Sequence, residues 1–139
     1  MTTPPDLAAC QSLIDEGGEL QWRQVHPKFV DGDVIAREAF VGTPEATDEV
    51  STTRASVVSG EEAYRHHSDH RGLQTAGSWG IAVHEAQDAQ RRVVDDSNCE
   101  GVDTPGHSFL DMRDLSKSER RKARNEWAAI ATARGRSFP

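Results

Sequence analysis

The sequence has few cysteines and no long apolar run. No stretch approaches the roughly 20 apolar residues that a transmembrane helix needs. The first residues show neither the basic region nor the apolar segment of a secretion signal. These features predict a cytoplasmic protein that does not span a membrane. The two cysteines, Cys10 and Cys99, lie far apart, and without an export signal we expect reduced thiols rather than a disulfide.

Motifs of several common enzyme classes are also missing. The chain has no glycine-rich phosphate-binding loop, no nucleophile elbow and no zincin-type helix motif. These absences exclude P-loop and dinucleotide-binding enzymes, α/β-hydrolases and zincin metalloproteases. A candidate site therefore has to be sought among individual polar residues.

Charge is distributed unevenly along the 139 residues, whose net charge is −7. Residues 1 to 116 hold 9 Lys and Arg against 21 Asp and Glu, whereas residues 117 to 139 hold 7 against 2. An acidic body repels nucleic acid, so nucleic-acid binding is expected only if the basic C-terminal helix acts alone. The leading prediction is a small acidic bacterial accessory protein that binds a partner protein, such as an operon partner or an immunity-type protein.

The length and the 35% hydrophobic content predict a single domain over residues 1–139. We expect an α+β fold, in which an amphipathic C-terminal helix packs on one face of a mixed, mainly antiparallel sheet of four to six strands. The domain divides into an N-terminal helical segment (1–18), a sheet-rich body (19–115) and a C-terminal helix (116–135).

Helix signals are clearest in three places. Leu7, Ala8 and Ile14 recur at helical spacing near the N-terminus. Ser followed three residues later by Glu, the capping-box pattern, occurs at Ser59 and again at Ser116. The first box predicts a helix of about ten residues, and the second opens the C-terminal helix, whose apolar residues fall on one face.

Strands are predicted where apolar and polar residues alternate or where β-branched residues concentrate, with polar loops between them. The predicted strands cover residues 20–25, 49–58, 79–83, 91–94 and 107–112, and the predicted loops include 44–48 and 95–106. The segment 79–83 (WGIAV) is expected at the centre of the sheet because it is almost wholly apolar.

Histidines are concentrated in the segment 66–70 (HHSDH). His66 and His70 are four residues apart, so on a helix their imidazoles share one face, as two ligands of a divalent metal do. A zinc-type site needs further ligands, which folding would have to supply. A polar, exposed helix surface is the favoured interpretation, so no cofactor is assigned and a divalent metal at His66 and His70 is a secondary hypothesis.

A small enzyme acting on a phosphate- or nucleotide-containing substrate is the alternative function. Arg23 could bind the anion with its planar guanidinium, while His26 and His107, each at the end of a predicted strand, could transfer protons. Histidines so placed resemble those of the paired-histidine phosphoesterases, which carry Ser or Thr two residues after each His. Here those positions hold Lys28 and Phe109, which removes the hydroxyl that such a site uses.

A second enzyme interpretation adds Ser51 and Glu85 to the candidate site. The order of Arg23, the segment 51–53 (STT) and Glu85 resembles that of the mono-ADP-ribosyltransferases. This resemblance implies NAD binding, with the Arg on phosphate, the Ser shaping the pocket and the Glu on the ribose. That family places its Glu two residues after a Gln or Glu, whereas here the Gln follows Glu85. Either interpretation requires the candidate residues to meet in one pocket.

Several short motifs are spread over residues 10 to 136. They include the opening W-R-Q-V-H-P-x-F, a V-S-T segment, the strands G-x-W-G-I-A-V and G-H-S-F, and a closing helix that ends in A-R-G. Together they resemble a group of small bacterial proteins of unassigned function. The resemblance implies a bacterial origin and a self-contained domain, and it implies no activity.

Overall fold

The computed structural model describes residues 5–43 and 48–139. Most of the predicted loop 44–48, and the first four residues of the predicted N-terminal helical segment, lie outside this part of the chain. Within it, none of the helices has the length and hydropathy that crossing a bilayer requires.

The described residues contain nine β-strands. They are β1 (Ser12–Leu13), β2 (Leu20–Val25), β3 (Val30–Asp31), β4 (Val34–Ile35), β5 (Glu49–Arg54), β6 (Gly77–Ala82), β7 (Arg92–Asp95), β8 (His107–Asp111) and β9 (Arg136–Phe138). Seven of them form one sheet in the order β1-β7-β8-β5-β2-β6-β9, and β3 and β4 form a separate hairpin.

The predicted α+β class is confirmed, with two differences in the sheet. It has seven strands rather than four to six, because the short edge strands β1 and β9 come from segments without an alternating pattern. Every pair of neighbouring strands is antiparallel, whereas a mixed sheet was expected.

Three α-helices accompany the sheet in the described residues: α1 (Gly60–Arg65), α2 (Val83–Asp88) and α3 (Lys117–Arg134). Both predicted capping boxes are confirmed, because Ser59 and Ser116 each accept a hydrogen bond from the backbone of the Glu three residues later. Helix α1 continues directly into one π-helical turn, His66–His70. The helix predicted from Ser59 therefore has the expected length and carries the histidines.

Helix α3 packs across one face of the sheet, as predicted. Trp127 is fully buried, and its ring meets that of Phe40 edge to face at 6.0 Å between centroids. Phe40 comes from a short 3-10 helix, Arg37–Phe40, that follows the β3–β4 hairpin. Trp79 of β6 belongs to the same buried cluster, so the core lies between α3, this 3-10 helix and the centre of the sheet.

The N-terminal segment is not helical, contrary to the prediction. It is extended or in turns from residue 5 onward, and Ser12 and Leu13 pair with Asp95 and Val94 of β7. Ile14 is buried. Its N–H donates to the carbonyl of Val93 at 3.0 Å, which continues this pairing. A non-local partner, the edge of the sheet, therefore overrides the weak helical spacing of the segment.

Cys10 and Cys99 form a disulfide, so the expectation of two reduced thiols is wrong. Their Cα atoms lie 5.0 Å apart across a sequence separation of 89 residues. The bond joins the N-terminal segment to the loop between β7 and β8. Such bonds persist mainly in oxidising compartments, and the cytoplasmic location stays a prediction.

Strands β2 and β5 pair over only part of their lengths. Each has six residues, yet Gln21 and Trp22 alone pair with Arg54 and Thr53. Beyond Trp22, β2 follows β6 and β5 follows β8. The two strands therefore diverge, and we call the gap between residues 23–25 and 49–52 the fork.

Candidate functional site

A cleft of about 470 Å³ opens at the fork. Strands β2 and β5 form its floor, and three other segments form its walls: residues 38–43, residues 66–74 with the π-helical turn, and the loop residues 101–104. This volume is in the range of ordinary ligand pockets. The cleft is thus shaped by the divergence of two central strands.

Arg23 occupies the fork itself. Its guanidinium donates from Nη1 to the Ser51 carbonyl and from Nε to the Ala39 carbonyl, both at 2.8 Å. Nη2 donates to the Val41 carbonyl at 3.0 Å. These bonds hold the diverging strands together and use three of the five N–H groups of the side chain.

The charge of Arg23 is balanced by backbone carbonyls rather than by an acid. Burial lowers the pKa of its guanidinium to about 10, so the group is still cationic at neutral pH. No carboxylate within the described residues forms an ion pair with Arg23. A partly buried cation without a counter-ion is costly, and Arg23 lines the cleft with two N–H groups that form no hydrogen bond within the described residues.

His107 begins β8 and lies on the opposite side of the cleft floor. Its Nδ1 atom is 2.5 Å from Oδ1 of Asp96, and the two side chains are 20% and 15% exposed. A carboxylate that accepts a hydrogen bond from Nδ1 keeps the proton on that nitrogen and leaves the lone pair on Nε2. The pair therefore has the arrangement of a general base with an orienting acid.

The backbone before His107 depends on a glycine. Gly106 has a φ of +69°, and a Cβ at this position would lie 2.9 Å from Cβ of Val57. Its carbonyl also accepts a hydrogen bond from the Arg54 N–H at 2.9 Å. Glycine is thus needed to bring the chain from the loop into β8 with His107 at the cleft.

The π-helical turn brings two neutral histidines to the cleft wall. Burial, together with the positive charges of Arg71 and Arg23, lowers the pKa of His67 to about 4. Burial and the neighbouring His70 also lower the pKa of His66. Both guanidinium groups thus act on His67, while the carboxylate of Asp103 acts in the opposite direction on His66.

Two polar atoms on the cleft walls have no hydrogen-bond partner within the described residues. They are Oγ1 of Thr53 and Nε2 of His66, and both are shielded from solvent. An unpaired buried polar atom costs about 1–3 kcal/mol. Thr53 lies directly across from His107 in the β5–β8 register. A bound molecule that reached these atoms after a small side-chain rotation would satisfy them.

Most of the sequence-predicted site residues meet in this cleft. The lining includes Arg23, His26, Ser51 and His107, together with the proposed metal ligand His66. Nδ1 of His26 accepts a hydrogen bond from the Lys28 N–H at 3.1 Å. The neutral ring of His26 therefore carries its proton on Nε2, whereas that of His107 carries it on Nδ1.

Glu85 does not line this cleft with the other candidates. It lies in the first turn of α2, where its carboxylate accepts from the Ala82 N–H at 2.7 Å and pairs with Arg134 at 2.6 Å. The predicted strand extends to residue 83, but the chain turns into α2 there. Glu85 is consequently the capping carboxylate of a helix rather than a residue at a strand end.

In the part of the chain that the structure describes, His66 and His70 share a helix face without a third metal ligand. The rings of His66 and His70 stack with centroids 4.7 Å apart, which confirms that they share a helix face. Among residues 5–43 and 48–139, no group of three His, Cys, Asp or Glu side chains is placed to hold a metal ion.

The sequence interpretation missed Asp96 and Arg71. It gave no individual role to Thr53 or His67, although both lie in segments that it singled out. Asp96 lies in the predicted loop 95–106, where nothing in the sequence links it to His107. Arg71 follows the histidine segment directly, and an Arg beside neutral histidines was a usable signal for an anion site.

Comparisons with known proteins add no relationship. No protein-family model, no curated protein and no solved structure matches this chain. The resemblance to small bacterial proteins, and the origin it implies, stay predictions.

Proposed function

We propose that the protein is a small enzyme that binds a phosphate-bearing molecule in the cleft and hydrolyses or transfers its phosphate ester. The observation that carries this proposal is the meeting of two unpaired arginines with the His107–Asp96 pair in one pocket. Of the residues that the sequence hypothesis required to meet, Arg23, His26, Ser51 and His107 line this cleft and Glu85 does not.

The arginines support an anionic ligand. Neither Arg23 nor Arg71 has a carboxylate partner within the described residues, whereas Arg54, Arg92 and Arg113 each pair with one. Arginines are favoured for binding phosphate because the guanidinium is planar and permanently charged. In a chain of net charge −7, a cleft that keeps these two arginines without carboxylate partners favours an anion beside them, while Glu38 and Asp103 line other parts of the cleft.

The two histidines on the cleft floor support acid–base chemistry. Nε2 of His107 has the free lone pair and would accept the proton of an attacking water or hydroxyl group as its oxygen bonds to phosphorus. His26 has its proton on Nε2 and would donate it to the ester oxygen as the phosphorus–oxygen bond breaks. Such paired proton transfers contribute about 10²- to 10⁴-fold to rates.

The other predicted functions are less supported by the cleft. The ADP-ribosyltransferase interpretation needs an acid where Glu85 was assigned, and that residue caps a helix elsewhere. Binding of a partner protein rests on the acidic charge of the body alone and stays a prediction. So does nucleic-acid binding by the basic C-terminal helix.

Ligand binding by matched arginine variants tests the proposal. The probes are inorganic phosphate, ribose 5-phosphate, AMP and bis(p-nitrophenyl) phosphate, measured by calorimetry and by release of nitrophenol. Arg71→Ala should weaken binding at least about tenfold, while Arg65→Ala, which removes an exposed arginine paired with Glu61, should not. His107→Ala should keep binding and lose turnover. The proposal fails if no probe binds at millimolar concentration or if the two arginine variants behave alike.

A further inference from the structure

We infer that the Cys10–Cys99 disulfide positions the His107–Asp96 pair and one wall of the cleft, so that a dithiol reductant disables the site. The loss of ligand binding that we expect on reduction rests on the function proposed above. The effect of the disulfide on the loop between β7 and β8 does not depend on that function.

Cys99 lies in the middle of the loop that carries both parts of the site. Asp96, three residues before it, pairs with His107, and residues 101–104 after it form the cleft wall. Backbone hydrogen bonds connect these parts to the cysteine: the Cys99 N–H donates to the Asp96 carbonyl at 2.9 Å, and the Val102 N–H donates to the Cys99 carbonyl at 3.2 Å. Movement of Cys99 therefore moves both Asp96 and the wall.

The loop has little else to hold it. No residue from 96 to 105 is fully buried, so the loop contributes no side chain to the core. Its first turn is held by Ser97, whose backbone N–H and hydroxyl both donate to the Asp95 carboxylate. The disulfide is the covalent tie between this loop and the N-terminal segment, which is itself anchored to the sheet by β1.

Reduction breaks this tie with a defined stoichiometry. One thiolate of a dithiol attacks a disulfide sulfur and releases the thiolate of one cysteine, and its second thiolate then attacks the resulting mixed disulfide and releases the other cysteine. Two electrons and two protons pass to Cys10 and Cys99, which become thiols, and the reagent leaves as a cyclic disulfide. Without the bond, a segment with few buried contacts opens locally at low cost.

Amide hydrogen exchange with and without dithiothreitol tests the loop. Reduction should speed exchange at residues 97–104 by about tenfold or more while leaving β6 and α3 protected, because the core does not include the loop. The ¹⁵N shifts of the His107 ring should change from those of the Nδ1–H tautomer to a mixture of tautomers. The double variant Cys10→Ser/Cys99→Ser should reproduce both effects without reductant.

The possible outcomes separate this inference from the proposed function. Unchanged loop exchange, an unchanged His107 tautomer, or loss of protection throughout β6 and α3 would each overturn the inference. Asp96→Asn with the disulfide intact should alter the tautomer without speeding loop exchange, which distinguishes positioning from stability. If the loop responds as expected but AMP binds neither the oxidised nor the reduced protein, the proposed function fails and the positioning role stands.

Discussion

Nη1 of Arg23 donates to the carbonyl of Ser51 at 2.8 Å, across the point where β2 and β5 stop pairing. A side chain thus replaces the missing backbone hydrogen bonds of the sheet. The same guanidinium faces the cleft that the divergence creates, so the group that holds the fork together also supplies positive charge to the pocket.

Replacing Arg23 should destabilise the fold. Arg23→Met leaves three carbonyls without their donor, of which that of Ala39 belongs to a buried residue and that of Val41 to an exposed one. Because an unsatisfied buried group costs about 1–3 kcal/mol, we expect a loss of at least about 1 kcal/mol in the free energy of unfolding. Arg23→Lys should recover only part of this loss, because an ammonium group cannot reach three divergent carbonyls at once.

Urea unfolding measures this effect. Arg37→Ala, which removes an exposed arginine 3.8 Å from Glu38, is the control and should change the free energy of unfolding by less than about 0.5 kcal/mol. Equal stability of Arg23→Met and the control would show that the three carbonyl contacts do not support the fold.

The Gly106→Ala variant should be less stable and should lose the alignment of His107. The positive φ at position 106 alone costs a non-glycine residue about 1–3 kcal/mol. The new Cβ would also lie 2.9 Å from Cβ of Val57. Gly72→Ala is a matched control, because Gly72 has a φ of +65° with no atom within 4 Å of the built Cβ.

Thermal unfolding separates strain from contact. Gly106→Ala should lower the melting temperature more than Gly72→Ala does. Val57→Gly, which removes the Cβ that the new methyl group would meet, should lower the melting temperature less in the Gly106→Ala background than in the wild type. If the two glycine variants have the same melting temperature, the close approach to Val57 is not a constraint.

The ion pair between Glu19 and Arg54 should make stability depend on acid pH. The hydrogen bond from Arg54 lowers the pKa of Glu19 below its usual value of 4.5. A group whose pKa is lowered by folding stabilises the protein fully above the pKa of the unfolded chain, and this contribution is lost as the pH falls through the folded-state pKa. The stability difference between wild type and Glu19→Gln should therefore be largest at neutral pH and shrink below about pH 4.5.

A thermodynamic cycle isolates this pair from other acids. In an Arg54→Met background, Glu19→Gln should remove little or none of the remaining pH dependence, since the partner is already absent. Free energies of unfolding from urea titrations between pH 3 and 7 provide the measurement. If the difference in the free energy of unfolding between the wild type and Glu19→Gln is constant over this range, the pairing of Glu19 with Arg54 is contradicted.

Local patterns in the sequence predicted much of the fold but little of the N-terminal segment. Alternation located β2, and the two capping boxes located α1 and α3, because these signals arise from neighbouring residues. Ile14 joins the sheet through a hydrogen bond to Val93, a partner that no local pattern identifies. The disulfide was missed for a related reason, since it depends on how the N-terminal segment meets a distant loop.

The sequence predicted which types of residue form the candidate site, but it predicted their contact partners only in part. Arg23, His26 and His107 were identified because cationic and imidazole side chains stand at strand ends. The role of Asp96 depends on the folding of its loop, and the carbonyl partners of Arg23 depend on the fork. Glu85 lies apart from the cleft because β6 ends one residue before its apolar run does and the chain turns into α2 there.

Titration of the histidine ring signals by NMR, with and without AMP, tests the central claim most directly. In the free protein His67 has a pKa of about 4 because of burial and the charges of Arg71 and Arg23. A phosphate bound between those arginines and His67 adds negative charge and should raise the pKa of His67, and Arg71→Ala should abolish the increase while Arg65→Ala keeps it. An unchanged pKa of His67 at saturating AMP, inorganic phosphate and ribose 5-phosphate would contradict the assignment of this cleft as a phosphate-binding site.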